Sequence, residues 1–466
     1  MWQNLPSCRE LSYTPSIRLL GVMRSDGRYE MVTISPAELL QNLIRFDTTN
    51  PPGNEVECIK YIDKLLTEAG FQTTLLAKTA NRPNLVTRLK GQSIVPPLLL
   101  YGHVDVATTA NQNWTHPPFE GKVLDGWIWG RGALDMKSGI SMMLSAMLRA
   151  KAEGLTPAGD IVLAILSDEE AFGNYGAKFL VENHADCFQG IRYALGEFGG
   201  FTIYMGKRRF YAIQVSEKQI CWIKARVRGE GGHGSMPVRG GAMAKLAQLL
   251  KQLEQHPLPV HITSVARDMI NTMASAMSFP SGYVLRRLLN PSLTNSVLKL
   301  LGGSRKVLEP LVRNTVNATI VRAGEIINVI PTEIELEIDG RLLPRYSPED
   351  LMAELRHIIG DEVELELVLH IHCPSEPDMG LFDTLSSILR EHDPDGVPFP
   401  LLLSGTTDAK FFSQLGIQTY GFTPMVLPED FNFTRTIHSA DERIPVEALD
   451  FGTEAIYKVL QRFGNE

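Results

Sequence analysis

Pro97-Leu98-Leu99-Leu100-Tyr101 is a continuous apolar run that leads through Gly102 into His103-Val104-Asp105. A strand with one face in water alternates apolar and polar residues; a strand buried on both faces does not. Ile161-Val162-Leu163-Ala164-Ile165-Leu166 has the same character and leads into Ser167-Asp168-Glu169-Glu170. Between the two runs, Ile140, Met143, Leu144, Met147 and Leu148 follow helical spacing and predict one buried helix face. From Asn50-Pro51-Pro52-Gly53-Asn54 to about Gly200, strands and helices alternate in this way. That is the pattern of a central, mostly parallel mixed sheet covered by helices on both faces.

Farther along, the pattern changes. Ile223 to Arg228 alternates apolar with basic residues, and Thr332 to Asp339 alternates apolar with acidic ones. Period two with one charged face predicts an antiparallel sheet with one side in water. A helix carrying Met243, Leu246, Leu250 and Leu253 follows the first strand. Ser347-Pro348-Glu349-Asp350 opens another helix, with its cap, its proline and its early acids in place. With Ala318 to Arg322 and Val363 to Ile371 as the remaining strands, the order is β-α-β-β-α-β, a ferredoxin-like α+β unit. The stretch from about His256 to Leu311 reads as an insertion within it. Buried-type runs return after Cys373, at Pro400 to Leu403 and Gln418 to Phe422. The expected division is therefore an N-terminal extension over 1–33, a first part of the α/β domain over 34–215, an inserted α+β unit over 216–374 (insertion about 256–311), and a second part of the α/β domain over 375–466. The helix start at Ser35-Pro36-Ala37-Glu38 marks where the ordered chain is expected to begin, with Met23 and Met31 as alternative starts.

Composition narrows the function. A length of 466 residues calls for more than one domain, and the formal net charge of −8 argues against nucleic acid as a partner. The five cysteines are scattered, with no Cys-x-x-Cys, so a thiolate metal site and a disulfide framework are not expected and a cytoplasmic location is. No run approaches the roughly 18 apolar residues of a membrane span.

Seven residues carry the chemistry: His103, Asp105, Asp135, Glu169, Glu170, Glu197 and His438. Most follow a short apolar run, so they fall where a strand gives way to a loop, the place where open α/β sheets put their sites. Each is ordinary by itself. Asp135, in Gly130-Arg131-Gly132-Ala133-Leu134-Asp135-Met136-Lys137, reads as a helix cap, and Asp168 to Glu170 as a solvated acidic turn. Together they form a set of imidazoles and carboxylates suited to a pair of divalent ions: zinc, or cobalt or manganese. His103 and Asp105 lie two apart on extended chain, so Asp105 can accept the second N–H of a ligating His103. Of the adjacent Glu169 and Glu170, one can bind metal while the other acts as general base. His370 and His372 read as part of a solvated strand face shared with Glu364 and Glu366.

Phe46-Asp47-Thr48-Thr49-Asn50-Pro51-Pro52-Gly53-Asn54-Glu55 and the motifs around the seven residues occur in order over nearly the whole chain, which resembles the M20 family of metallopeptidases and amidohydrolases. Val215-Ser216-Glu217-Lys218 and Gly232-His233-Gly234-Ser235-Met236-Pro237 are most similar to its carboxypeptidase S and N-acyl-amino-acid hydrolase branch. The resemblance implies a dizinc hydrolase of an amide bond beside a free carboxylate, acting as a carboxypeptidase or dipeptidase or, alternatively, as an N-acyl-amino-acid deacylase. A binding protein on the same scaffold is the remote alternative. The resemblance further implies one zinc at His103, Asp135 and Glu197, the other at Asp135, Glu170 and His438, with a cis peptide after the bridging Asp135. Glu169 is then the base acting on zinc-bound water. His233 stabilises the oxyanion, and Arg341, Asn328, Gly405 and Thr406 hold the substrate. A small peptide or N-acyl amino acid is the implied substrate; the α/β domain is implied to be catalytic and the inserted unit over 216–374 to be its lid, through which several members form a homodimer. Two departures stand out: Ser138 occupies a position where the family has glycine, and the 256–311 insertion is longer than in compact dimeric members.

Overall fold

The computed structural model describes residues 17–23 and 29–465. Within the expected N-terminal extension, Ile17–Met23 and Tyr29–Ile34 pair as an antiparallel hairpin, and the other residues before 29 lie outside the described ones.

The α/β body is built on strands β1 (Thr73–Ala77), β2 (Pro83–Leu89), β3 (Leu98–His103), β4 (Ile161–Leu166), β5 (Tyr193–Gly196), β6 (Thr202–Met205) and β7 (Arg208–Glu217). The lid sheet uses β8 (Gln219–Arg228), β9 (Thr315–Arg322), β10 (Glu333–Leu342) and β11 (Glu364–Ile371); β12 (Val397–Leu403) and β13 (Gln418–Gly421) return to the body. The principal helices are α1 (Pro36–Ile44), α2 (Val56–Glu68), α3 (Lys137–Ala152), α4 (Ala177–Asn183), α5 (Ala242–Gln255), α6 (Ser264–Ala276), α7 (Pro348–Ile359), α8 (Phe382–His392), α9 (Ala409–Phe412) and α10 (Val446–Arg462).

The large sheet has nine strands in the order β6-β7-β13-β5-β3-β4-β2-β1, with β12 paired to β7. Its centre, β13-β5-β3-β4, is parallel, and the flanks are antiparallel except for the β7–β12 pair. Every residue of β3 and β4 is buried, as the unbroken apolar runs predict. Alternate residues serve opposite faces. Leu98, Leu100, Ile161, Leu163 and Ile165 pack with α1, α2, α3, α8 and α10. Leu99, Tyr101, Val162, Ala164 and Leu166 pack with α4 and α9. Pro398 and Pro400 cannot donate to a ladder, which suits β12 to an edge.

The lid is a four-stranded antiparallel sheet, β9-β10-β8-β11, with α5 and α7 on one face. Its core is the apolar half of the alternating strands: Ile223, Ala225 and Val227 of β8 with Ile334, Leu336 and Ile338 of β10. The charged half forms a ladder of ion pairs, such as Arg226 with Glu335, Glu364 and Glu366. At Ser347 the predicted cap forms: its hydroxyl accepts from Asp350 N, and the Asp350 carboxylate accepts from Ser347 N.

Two features were not legible beforehand. The pairing of β8 with β11 shifts register between Trp222 and Ile223, so His370 stands opposite Cys221 while Glu366 stands opposite Lys224. An irregularity of this kind breaks the two-residue period, so His370 does not share a face with Glu366. The 256–311 stretch is largely helical, and Val265, Met269, Ile270 and Met273 of α6 pack against β12 and join the core of the large sheet. The chain passes from β7 of the body into β8 of the lid through a single residue, Lys218, whose buried amine donates to Arg313 O and Thr315 Oγ1.

Leu163→Ala, in the fully buried centre of β4, is expected to cost about 2–5 kcal/mol in urea denaturation. Leu75→Ala, on edge strand β1 with 46 % exposure, should stay within about 0.5 kcal/mol.

Candidate metal centre

The carboxyl ends of the central parallel strands converge on one cleft. His103 ends β3, Glu169 and Glu170 follow β4, and Glu197 follows β5. Asp135 arrives on the loop before α3, through a cis peptide to Met136, and His438 arrives from the C-terminal part of the chain.

Two groups result. His103, Asp135 and Glu197 form one, and Asp135, Glu170 and His438 the other; within each group the candidate ligand atoms lie within 4.8 Å of one another. His103 Nε2 is 3.3 Å from Asp135 Oδ1 and from Glu197 Oε2. His438 Nε2 is 3.2 Å from Asp135 Oδ2 and from Glu170 Oε1. Asp135 therefore turns one oxygen to each group. His103 Nδ1 lies 2.9 Å from the Asp105 carbonyl oxygen, which can only accept, so the ring proton sits on Nδ1 and Nε2 faces the carboxylates.

The electrostatics call for a cation. Burial opposes charge on His103, yet Asp105, Asp135 and Glu197 hold its imidazole well above the usual range. Asp135 and Glu170 raise His438 to about 10. Desolvation in the cleft, reinforced by Glu197, pushes the Glu169 carboxyl well above its ordinary value. Nitrogen and oxygen donors gathered in two triads around a shared carboxylate fit a pair of hard or borderline divalent ions.

Residues beyond these seven hold the arrangement. The Glu442 carboxylate, fully buried, accepts from Leu134 N at 2.7 Å and Asp135 N at 3.2 Å through Oε1, and from Arg131 Nη1 at 2.5 Å through Oε2. Arg131 Nη2 donates to Gln112 Oε1 at 2.8 Å, and Gln112 Nε2 donates to the His438 carbonyl at 2.8 Å. With the His438–Asp135 contact, these bonds close a ring that ties His438 to Asp135. On the other side, the Asp105 carboxylate accepts from Asn50 Nδ2, Glu169 N and Glu170 N, so it sets the turn that presents both glutamates. Asn50 also donates to Asp168, which pairs with Arg82, itself paired with Glu55. Sequence reading missed Asn50, Arg82, Gln112, Arg131 and Glu442 as positioning residues. Asn50 and Arg131 stand inside the quoted motifs and Arg82 just before β2, whereas Gln112 and Glu442 lie in unquoted segments and are identified by the distant groups they bond.

The lid residues stand apart. His233 stands opposite Val329, where Gly232–His233 pairs with Val329–Ile330, and the Asn328 carbonyl accepts from Gly234 N at 2.8 Å; His233 is exposed with Nδ1 2.7 Å from Ser235 Oγ. Arg341 donates through Nε and Nη2 to Asp339. None of the three bonds to a residue of the two triads. Gly405 and Thr406 sit half-buried in the loop between β12 and α9, which Thr407 anchors through its N and Oγ1 to Glu217 Oε2.

A family model described as peptidase family M20/M25/M40 matches residues 99–462. A probable carboxypeptidase S-like protein of Dictyostelium discoideum is 30% identical over 470 residues, covering 95% of this chain and 88% of its own. An N-fatty-acyl-amino acid synthase/hydrolase of Bos taurus is 27% identical, with 92% and 88% covered. Among solved structures, an M20 family metallo-carboxypeptidase of Sulfolobus solfataricus superposes with a TM-score of 0.65 at 15% identity, over 91% of this chain and 98% of that one, a likeness of fold. With the strand-end cleft and its paired triads, the match over most of the chain makes this protein a member of peptidase family M20/M25/M40, an enzyme of the metallopeptidase and amidohydrolase kind.

Proposed function

We propose that the enzyme hydrolyses an amide bond adjacent to a free carboxylate, with a pair of divalent ions held by His103, Asp135 and Glu197 and by Asp135, Glu170 and His438. The observation that carries this reading is Asp135 facing both imidazoles, one through each oxygen. Zinc is the proposed metal, because the donor set mixes imidazole with carboxylate. When bound, such ions polarise the scissile carbonyl and make water nucleophilic near neutral pH.

The chain's own groups do the rest. Glu169 takes the proton of the attacking water on a carboxylate oxygen and passes it to the leaving nitrogen. Asp105 keeps the proton of His103 on Nδ1 and fixes the backbone of the Glu169–Glu170 turn. Asp339 orients Arg341, leaving Nη1 for a substrate carboxylate together with the Gly405–Thr406 loop and Asn328. His233 donates to the developing oxyanion once the lid closes, or from a partner's lid in a homodimer. The exposed lid edge β9, with Ile320 and Val321 open to solvent, favours such a dimer. No described helix is long and apolar enough to cross a membrane. The unpaired thiols of Cys58, Cys187, Cys221 and Cys373 favour a reducing, cytoplasmic setting.

Glu169→Gln is expected to keep its metal, measured by elemental analysis, while turnover falls about 10²–10⁴-fold; wild-type turnover would remove Glu169 from the mechanism. His438→Ala should retain one metal per chain in place of two. Glu442→Ala, which leaves both ligands in place, should weaken the metal at the His438 side about 10–100-fold by competition with a chelator. For Arg341→Ala, KM for carboxylate substrates should rise with kcat little changed.

A further inference from the structure

The register shift in the lid sheet brings a second pair of imidazoles together, away from the paired triads. His370 stands opposite Cys221, a residue of the lid core, so it lies on the face that carries α7 and not on the ion-pair ladder. His372 follows two residues along the chain, and the two rings have their centroids 6.2 Å apart. Between them stands Gln219, the first residue of β8, almost wholly buried. Its Nε2 donates to Leu343 O at 3.1 Å and to Tyr346 O at 2.9 Å. Both of those oxygens only accept, so the amide cannot be turned round and Oε1 is fixed toward the rings. Oε1 lies 2.9 Å from His370 Nε2 and 3.2 Å from His372 Nδ1. Burial, helped by the neighbouring His372, holds His370 below the usual imidazole range, so the ring is neutral near pH 7 and keeps a nitrogen lone pair. On their other side His370 and His372 line a cleft of about 490 Å³ between β11 and the body, which has room for water.

We propose that His370 Nε2, His372 Nδ1 and Gln219 Oε1 form a third metal site, for a zinc or copper(II) ion, with water from the cleft completing the shell. Donors around one tetrahedral zinc ion stand about 3.3 Å apart. The two nitrogens here stand 2.9 and 3.2 Å from the shared oxygen, close to the 3.2 and 3.3 Å found within the triads. Two imidazoles select borderline ions, and the trio has no carboxylate to favour calcium or magnesium. Without the ion each ring donates its N–H to Oε1. On binding, each ring proton moves through water to the other nitrogen, Nδ1 of His370 and Nε2 of His372, so both lone pairs face the ion and no proton is lost. Three neutral donors do not offset the ion's charge, so it is held less tightly than in the triads. Its place gives it a consequence for the lid. Gln219 follows Lys218, where the chain enters the lid, and His372 precedes Cys373, whose Sγ donates to Glu217 O. An ion at this seat clasps the segment that enters the lid to the segment that leaves it after β11.

Zinc bound per chain, read by equilibrium dialysis and elemental analysis over rising free zinc, tests the site. The wild type is expected to take a third equivalent, more weakly than those of the triads. His370→Gln and His372→Asn each put an amide N–H where the ring N–H stood, so the bond to Gln219 Oε1 is kept and the imidazole is lost. Each should abolish the third equivalent, keep the tight ones, and leave the thermal midpoint in chelator unchanged. His438→Ala, which removes a ligand of the triads, should leave the third equivalent in place. One equivalent of copper(II) added to the zinc-filled enzyme should give an electron paramagnetic resonance spectrum with couplings to two imidazole nitrogens, a pattern that both variants lose. A wild type that stops at the zinc of the triads, or a third equivalent that survives either substitution, would overturn the site.

Discussion

The structure depends on a single shared carboxylate. Asp135 must face two imidazoles at once, one from a central strand and one from a segment about three hundred residues farther along the chain. A short acidic side chain has little freedom to do this, so its backbone has to be placed for it. Glu442 does so by accepting from the N–H groups of Leu134 and Asp135. Arg131 neutralises that buried glutamate and, through Gln112, reaches the carbonyl of His438. A carboxylate buried without Arg131 would raise its own pKa and loosen both bonds; burial already pushes Glu442 upward against the pull of Arg131.

Charge density is the second constraint. Asp105, Asp135, Glu169, Glu170 and Glu197 converge on a cleft walled by apolar strands, and like charges in such a place repel strongly. The body meets this in part with fixed donors. Asn50 and the amides of Glu169 and Glu170 serve Asp105, and Arg82 serves Asp168 and Glu55. What these donors leave uncompensated falls on His103 and His438, whose raised pKa values register the deficit that a pair of divalent cations would fill. The lid has a different economy of charge. Its ion pairs lie on an exposed ladder where each is worth little, so the sheet face is free to change from acidic and basic to aliphatic within two strands, as it does from Arg341 to Ile371.

Much of the architecture was legible because it rests on local periodicity. Unbroken apolar runs marked β3 and β4 as central, and strict alternation marked β8 and β10 as half-exposed; both patterns follow from which faces must be dry. The Ser347 cap was legible for the same reason, since its partners are three residues away. The irregular pairing in β11 was not, because an extra residue in one strand leaves no mark in the strand itself and appears only against the partner's register. Nor was the seat of α6: its amphipathic face announces that it packs, and not against which sheet.

The sequence by itself determined the layers, the strand-end placement of His103, Glu169, Glu170 and Glu197, and the donor chemistry of the cleft, because these depend on residue type and short-range spacing. Tertiary structure alone decided that Asp135 turns one oxygen to each imidazole, that Glu442, Arg131 and Gln112 close a ring around it, and that Trp222 of the lid packs on Phe172 of the body. Each of those is a relation between segments distant in the chain, set by how the strands order themselves and where the loops cross, and no local pattern encodes it.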